Sequence, residues 1–339
     1  MNAHAPTPLV ELKDVSKRFV KPLDAAARLA NLMGARNREQ VVHAVDSVDL
    51  GIMEGEVVGL VGESGCGKST LGRVVAGIHA PSSGAMLWQG KPVSGLEGPA
   101  KKAATLAVQM IFQDPMSSLN PRMRVTDIVG EAPVFHGLVS KAEQEAYVEH
   151  VLERVGLDPT YRRRYPHQFS GGQRARIGIA RALAVNPRFL VCDESVAALD
   201  VSIQAQVLNL FMKLRQDLKL TYLFISHDLS VVRHLSDKVV IMYLGRVVEA
   251  ASAADLFRGP NHPYAQALLA NVPTLASRHK RFAPLKGEIP SPLNPPGGCH
   301  FHPRCPMAGP RCARERPALR EISPGHVSAC HLNDGGVGS

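Results

Sequence analysis

Aromatic side chains are scarce: they make up 5% of the chain, with a single Trp. That argues against an aromatic-rich β-sandwich and for an aliphatic α/β interior. Hydrophobic residues still reach 45% of 339 residues, enough for one large core or for a core plus a smaller C-terminal module. Long apolar runs are missing. The longest, such as Val57–Val61 and Phe189–Cys192, fall far short of the roughly 20 residues that a spanning helix needs, so the chain is not expected to cross a bilayer by itself. Met1–Val10 holds no basic segment followed by an apolar one, so no secretory signal is expected and cytoplasmic residence follows. There is no acidic excess either: 39 basic against 30 acidic residues leave +9, compatible with nucleic acid, anionic lipid or nucleotide phosphates. The basic blocks Arg162–Arg164 and His279–Arg281 are short. No aromatic residues interleave with them as base stacking would require, and they read as solvated faces. Sustained heptads and internal repeats are absent.

Apolar periodicity predicts strands at Leu9–Leu12 and Ala44–Ile52, with an Ala- and Arg-rich stretch between them that suits a helical insertion. The apolar strand Val57–Val61 is followed by a glycine-rich turn and a helical pattern, Thr70–Ile78, that stops at Pro81-Ser82-Ser83-Gly84. From about Asp114 to Pro187 helical spacing dominates, including Lys141–Val155 and Gln173–Val185, and predicts a helical subdomain at about 114–187. Short apolar strands return at Phe189–Cys192 and Tyr222–Ile225, separated by a helix pattern over Ile203–Leu218, an alternation that implies parallel βαβ units. Val239–Tyr243 and Arg246–Ala250 flank Leu244-Gly245 as a hairpin. Beyond Gly259 Pro and Gly become frequent, periodicity fades and four of the six cysteines appear. A boundary near Arg258 is expected, dividing 1–258 from 259–339.

Gly62-Glu63-Ser64-Gly65-Cys66-Gly67-Lys68-Ser69 fits G-x-x-x-x-G-K-S, and it stands where that pattern has meaning, between a predicted strand and a predicted helix starting about Thr70. Glycines let the backbone fold around phosphate oxygens. Amide groups and a helix N-terminus add partial positive charge, Lys68 adds a full one, and Ser69 can ligate Mg²⁺. The strand Phe189–Cys192 runs into Asp193-Glu194, one carboxylate suited to Mg²⁺ and the other to polarising a water; taken alone, such a pair is also an ordinary helix cap or solvated turn. Ser170-Gly171-Gly172-Gln173 opens another helix pattern. It is either a second anion-binding element or a plain Ser N-cap.

Taken in order, the phosphate loop, Gln113, Ser170–Gln173, Asp193-Glu194, Leu199-Asp200 and His227 resemble the ATP-binding cassette family over nearly the first three-quarters of the chain. The resemblance implies an α/β P-loop NTPase with a parallel β core, an antiparallel β portion and a helical subdomain. By it, Gln113 sits in the loop joining core and helical subdomain and helps to hold Mg²⁺, His227 contacts the γ-phosphate, and Phe19 stacks on adenine. It also implies that two cassettes, two copies or two related chains, close head to tail over ATP, with Ser170 of one facing Lys68 of the other. Ser195 stands where the family usually has Pro, and Ala198 where it often has Ser.

Asn261–Tyr264, Gly287–Pro292 and Cys299–Pro306 resemble the tail of oligopeptide and dipeptide importer ATPases. That resemblance implies an ATP hydrolase at the cytoplasmic face of a bacterial inner membrane. It would work with two membrane-spanning permease subunits and, indirectly, an extracytoplasmic solute-binding protein, with no nucleic acid as partner. Cys299, Cys305, Cys312 and Cys330 lack the paired C-x-x-C spacing of common zinc modules. By spacing they could be reduced bystanders or metal ligands; relatives with this tail resemble carriers of a [4Fe–4S] cluster, with zinc a lesser option and His300, His302, His326 or His331 as substitute ligands. Cys66 and Cys192 read as small packing residues. The rival reading is a soluble cassette ATPase acting on nucleic acid or ribosomes. Against it stand a single phosphate loop and the lack of long coiled coils.

Overall fold

The structure, a computed structural model, describes residues 7–24, 28, 31, 33, 38–270 and 287–334. Most of the Ala- and Arg-rich stretch expected as a helical insertion, and the basic block His279–Arg281, lie outside the described residues.

The core is an eight-stranded sheet whose middle strands are short and largely apolar. Strand β3 (Val57–Val61) lies between β8 (Thr221–Ile225) and β9 (Lys238–Tyr243), and β7 (Phe189–Asp193) and β6 (Val108–Ile111) follow outward from β8, all parallel. Every residue of β3, β7 and β8 is buried. Parallel strands covered on both faces read as continuous apolar runs rather than alternating ones, which is why periodicity located them. β10 (Arg246–Ser252) returns antiparallel to β9 as the expected hairpin.

A second sheet, in the order β2-β1-β4-β5, is antiparallel, with β1 at Val10–Lys21, β2 at Gln40–Ile52, β4 at Ser83–Trp88 and β5 at Lys91–Pro92. Its first two strands run longer than the apolar patches Leu9–Leu12 and Ala44–Ile52 suggested, because bulges between Leu12 and Arg18 disturb the alternation while pairing continues to Lys21. Helix α1 (Lys68–Val75) follows the glycine turn, and α2 (Gly98–Ala107) precedes β6. The helical subdomain contains α3 (Pro115–Ser118), α4 (Val125–Phe135), α5 (Gln144–Arg154) and α6 (Gly171–Leu183). Val129, Val148, Val151 and Ile177 share one buried cluster with Leu190 and Phe224, so the helices are packed onto the sheet. α7 (Val201–Leu218) and α8 (Leu229–Leu235) complete the alternation. Among the described residues no helix is long and apolar enough to cross a membrane.

Beyond α9 (Ala253–Arg258) and α10 (Pro263–Ala270), the chain adds α11 (Pro310–Arg314) and two more strands to the core sheet, β11 (Arg320–Ser323) and β12 (His326–Ser328), the latter pairing with β10. Tyr264 and Phe301 are buried in one cluster with Tyr243 and Val61. The join is also polar. Glu249, fully buried in β10, accepts from the Asn261 and His262 amides at 2.8 and 2.7 Å and stands 2.7 Å from His326 Nε2. A buried carboxylate is tolerable only with such donors around it.

His262 begins α10, its Nδ1 accepting from the Tyr264 amide at 3.1 Å, and burial pushes its pKa down to about 4. A folded-state value below the unfolded one, about 6.5, means that the unfolded chain binds the proton first. Stability is therefore full above about pH 6.5 and is lost as pH falls toward 4. His262→Asn keeps a capping acceptor and cannot titrate. Urea unfolding at about pH 7.5 and about pH 4.5 should show about 2 kcal/mol less pH dependence in this variant than in the parent.

Candidate functional site

The turn after β3 requires its glycines. Gly67 has φ 105°, and a Cβ there would lie 2.0 Å from the Ala44 carbonyl oxygen; at Gly62 it would lie 2.2 Å from that of Met242. Lys68 opens α1 and is 4% exposed. Its ammonium donates to the Gly62 and Glu63 carbonyls at 2.7 and 3.0 Å, which folds it over the loop. α1 has no side-chain cap, so the amides of its first turn are left for an anion. Cys66 is buried, and burial pushes its thiol pKa up; Cys192 is shifted the same way by burial and then by Asp193. Both are packing residues here, as the sequence suggested.

A pocket of about 320 Å³ opens beside this loop. Its walls bring together Ser64, Gly65, Gly67, Lys68, Ser69 and Thr70 from the loop and α1, Phe19, Val42 and Ala44 from the antiparallel sheet, and Gln113, Glu194 and Pro292. Phe19 is 38% exposed there, edge-on to His79 at 5.5 Å with Lys17 Nζ 5.2 Å from its ring centre.

The carboxylates at the end of β7 have different surroundings. Asp193 is buried and accepts from Ser69 Oγ at 2.8 Å. Burial raises its pKa, opposed by the Ser69 hydrogen bond and the charge of Arg73. Glu194 leaves strand geometry with φ 45°, its amide donating to the Ile225 carbonyl at 3.0 Å. One carboxylate oxygen accepts from Gln113 Nε2 at 2.8 Å, and the other is 3.4 Å from His227 Nδ1. Residues far apart in sequence thus meet at one carboxylate. Next to it, the Ser195 hydroxyl is buried without a hydrogen-bond partner among the described residues.

The Ser170 element is not part of this pocket. Ser170 caps α6 in a reciprocal box: its Oγ accepts from the Gln173 amide at 3.3 Å and Gln173 Oε1 from the Ser170 amide at 3.1 Å. Ser170 and Gly171 are exposed, while Gly172 packs against Ile203. The element is thus exposed at its start and lines no part of the pocket beside the phosphate loop.

Cys299, Cys305, Cys312 and Cys330 all line a second cavity of about 260 Å³. Cys299 is pushed up to about 11, first by burial and then by the neighbouring thiols; burial also raises Cys305 and Cys330. Among the described residues no three His, Cys, Asp or Glu side chains stand close enough together to hold a metal ion, so ligand geometry gives the expected [4Fe–4S] cluster no support. Two of the substitute ligands are elsewhere. His300 bonds the Leu244 carbonyl at 2.9 Å and lines a different cavity, and His326 is engaged by Glu249. His302 and His331 do line the cysteine cavity.

Sequence reading gave no site role to Tyr264 or Arg304, which grip the phosphate loop from behind. Tyr264 Oη accepts from the Glu63 amide at 2.9 Å, and the Arg304 guanidinium forks onto the Glu63 carboxylate at 2.6 and 3.0 Å. Both belong to the tail motifs already quoted, but nothing in their spacing shows a contact with a residue some two hundred positions away.

This arrangement defines a nucleotide-binding P-loop cassette. Family models agree: residues 45–197 match "ABC transporter", and 248–312 match "Oligopeptide/dipeptide transporter, C-terminal region". The chain is 48% identical over 328 residues to the oligopeptide transport ATP-binding protein AppF of Bacillus subtilis, covering 96% of this chain and 97% of that protein. It is 47% identical over 295 residues to OppF of Salmonella typhimurium, covering 86% and 88%. Among solved structures, CbiO1 of Clostridium perfringens, described as part of an ABC transporter complex, superposes with TM-score 0.60 at 25% identity over 74% of this chain and 91% of that one. The cassette MJ0796, in a dimeric post-hydrolysis state with ADP and Pi, gives TM-score 0.60 at 26% identity over 72% and 98%. The chain belongs to the ABC transporter family, as an ATP-binding and ATP-hydrolysing cassette with the oligopeptide/dipeptide transporter C-terminal region. None of these matches supports the rival reading of an ATPase acting on nucleic acid or ribosomes.

The Arg304–Glu63 pair predicts a measurable coupling. In a double-mutant cycle of Arg304→Met and Glu63→Gln, thermal unfolding should give an interaction energy of about 1–3 kcal/mol.

Proposed function

We propose that this chain is the ATP-hydrolysing motor of an importer for di- or oligopeptides or similar small solutes, acting on the cytoplasmic face of a bacterial inner membrane. The observation that carries the reading is the convergence of Lys68, Ser69, Gln113 and Glu194 on one pocket, in a chain that matches peptide-transport ATP-binding proteins along most of its length. In this reading residues 1–258 form the nucleotide-binding unit and 259–339 the extension.

Lys68 and the loop amides hold the phosphates, which costs Lys68 its two carbonyl contacts and replaces them with stronger charged ones. Ser69, Asp193 and Gln113 hold Mg²⁺, whose charge, when bound, offsets that of the phosphates. The Ser69–Asp193 hydrogen bond already places two of these groups side by side. Glu194 orients and deprotonates the attacking water, with His227 and Gln113 fixing its carboxylate. Phe19 stacks on the adenine. Ser170–Gln173, which lines no part of the chain's own pocket, serves the pocket of a second cassette, either a copy of this chain or a related one. Nucleotide-driven closing and opening of that pair is passed to two membrane-spanning subunits, which receive solute from an extracytoplasmic binding protein.

The same reading gives Cys299, Cys305, Cys312 and Cys330 a [4Fe–4S] cluster. The reading rests on donor type, four thiols that line one partly apolar cavity; among the described residues they do not stand close enough together to hold a metal ion as they are, so loading would have to draw them together.

Glu194→Gln should retain ATP binding while steady-state turnover falls at least about a hundredfold. Parent activity should rise on adding membrane-spanning partners, and anaerobically purified chain should be brown and bleach with dithionite. Turnover that ignores membrane partners and rises with nucleic acid would overturn the importer reading.

A further inference from the structure

The pocket beside the phosphate loop has two ends. Ser64 to Thr70, Gln113 and Glu194 make one polar end, and Phe19, Val42, Ala44 and Pro292 make the apolar remainder. Three of the apolar four come from β1 and β2, in which Phe19 and Val42 stand directly opposite each other. Pro292 comes from some 250 residues later, in the C-terminal stretch.

Its position is built by two local devices. Ser291–Asn294 is a hydrogen-bonded turn, the Asn294 amide donating to the Ser291 carbonyl at 3.2 Å, and the Leu293 amide donates to Ser291 Oγ at 3.2 Å. Ser at the first and Pro at the second position are what such a turn prefers. The turn is then fastened to the outer edge of β2, where the His43 amide donates to the Pro292 carbonyl at 3.0 Å. Among the described residues β2 is the terminal strand of its sheet, so this amide has no neighbouring strand there to bond. His43 lies between Val42 and Ala44, both pocket residues, so the bond sets the proline ring against the same wall. Ser291, Leu293 and Asn294 are exposed while Pro292 is partly covered. The turn thus directs its rigid ring, rather than its larger leucine, at the pocket.

We propose that Pro292 is a nucleoside-contact residue, and that the C-terminal stretch supplies the wall of the ATP pocket that Phe19 alone leaves open. The proposal rests on the ATP-binding reading of the pocket. A proline suits the task because its ring offers apolar area to the flat face of a base or to a ribose with no rotamer freedom to lose. Phosphate recognition then belongs to the loop and α1, and nucleoside recognition is shared between two ends of the chain.

The test uses full-length protein and isothermal titration with Mg-ATP and with inorganic tripolyphosphate, comparing the parent, Pro292→Ala and Lys68→Ala. Pro292→Ala keeps the turn, which accepts most residues at this position. It should raise the Kd for ATP about three- to tenfold, as expected for losing one or two buried methylene contacts, with tripolyphosphate affinity unchanged. Lys68→Ala should weaken both ligands. Unchanged ATP affinity in Pro292→Ala with an unaltered melting temperature overturns the proposal. So does parallel weakening of ATP and tripolyphosphate, which would make Pro292 a mere support of the loop. If Pro292→Ala lowers the melting temperature, Pro292→Ser is measured instead, and the same ATP-against-tripolyphosphate comparison decides. A parent that binds tripolyphosphate and not ATP overturns it too, while a parent that binds neither removes the nucleotide site itself.

Discussion

A loop that binds phosphate with its backbone must keep amide groups facing the ligand while its remaining polar groups are satisfied elsewhere, and this constraint organises much of the molecule. The loop Gly62–Ser69 is tied from outside at several points. Tyr264 takes the Glu63 amide, Gly245 donates to the Cys66 carbonyl at 2.8 Å, and Arg304 forks onto the Glu63 carboxylate. Ala44 and Met242 press so close to Gly67 and Gly62 that neither position has room for a side chain. These anchors come from β2, from the β9–β10 hairpin and from the C-terminal stretch. They oppose collapse of a loop that has little apolar surface of its own to bury.

What could be read from the sequence follows from that division. Fully buried parallel strands announce themselves as apolar runs, and β3, β7 and β8 were located to within a residue or so at either end. The helices of the central region show their 3.6-residue spacing for the same reason, one face being fixed against the sheet. β4, β6, β11 and β12 carried no comparable signal. They are short, and β11 is largely exposed, so pairing and not patterning makes them strands. The phosphate loop and the Asp193-Glu194 pair can be picked out from residue types and their place after apolar strands, whereas Gln113 and Phe19 rest on the resemblance to the cassette family; the structure puts Gln113, Glu194 and Phe19 on the pocket beside the loop. The roles of Tyr264, Arg304 and Pro292 could not be read from the sequence, since each depends on a contact with a residue far away in the chain.

The two neighbouring carboxylates show how local backbone geometry separates chemical roles. In a regular strand, successive side chains point to opposite faces. Asp193 obeys the strand and is buried against Ser69, where desolvation favours its neutral form. Glu194 adopts left-handed geometry, a conformation that costs a non-glycine residue on the order of 1 kcal/mol or more. The amide bond to Ile225 and the contacts from Gln113 and His227 hold it there. The strained residue places its carboxylate in the pocket wall, while Asp193 stays buried behind Ser69. Ser195 follows in this turn with a buried hydroxyl that has no partner among the described residues, a penalty that a proline in its place would not carry.

The C-terminal stretch must be reckoned as part of the machinery that it adjoins. It adds strands β11 and β12 to the core sheet, buries Phe301 against Tyr243 and Tyr264, and reaches the phosphate loop through Glu63 and the pocket through Pro292. Arg304 is followed immediately by Cys305, whose side chain lines the cysteine cavity. A displacement of the backbone at Cys305 therefore moves a guanidinium held at 2.6 Å on the phosphate loop. Because a bidentate charged contact tolerates little displacement, the Arg304–Glu63 contact fixes the chain between the phosphate loop and the wall of that cavity, although the sequence presents them as separate motifs.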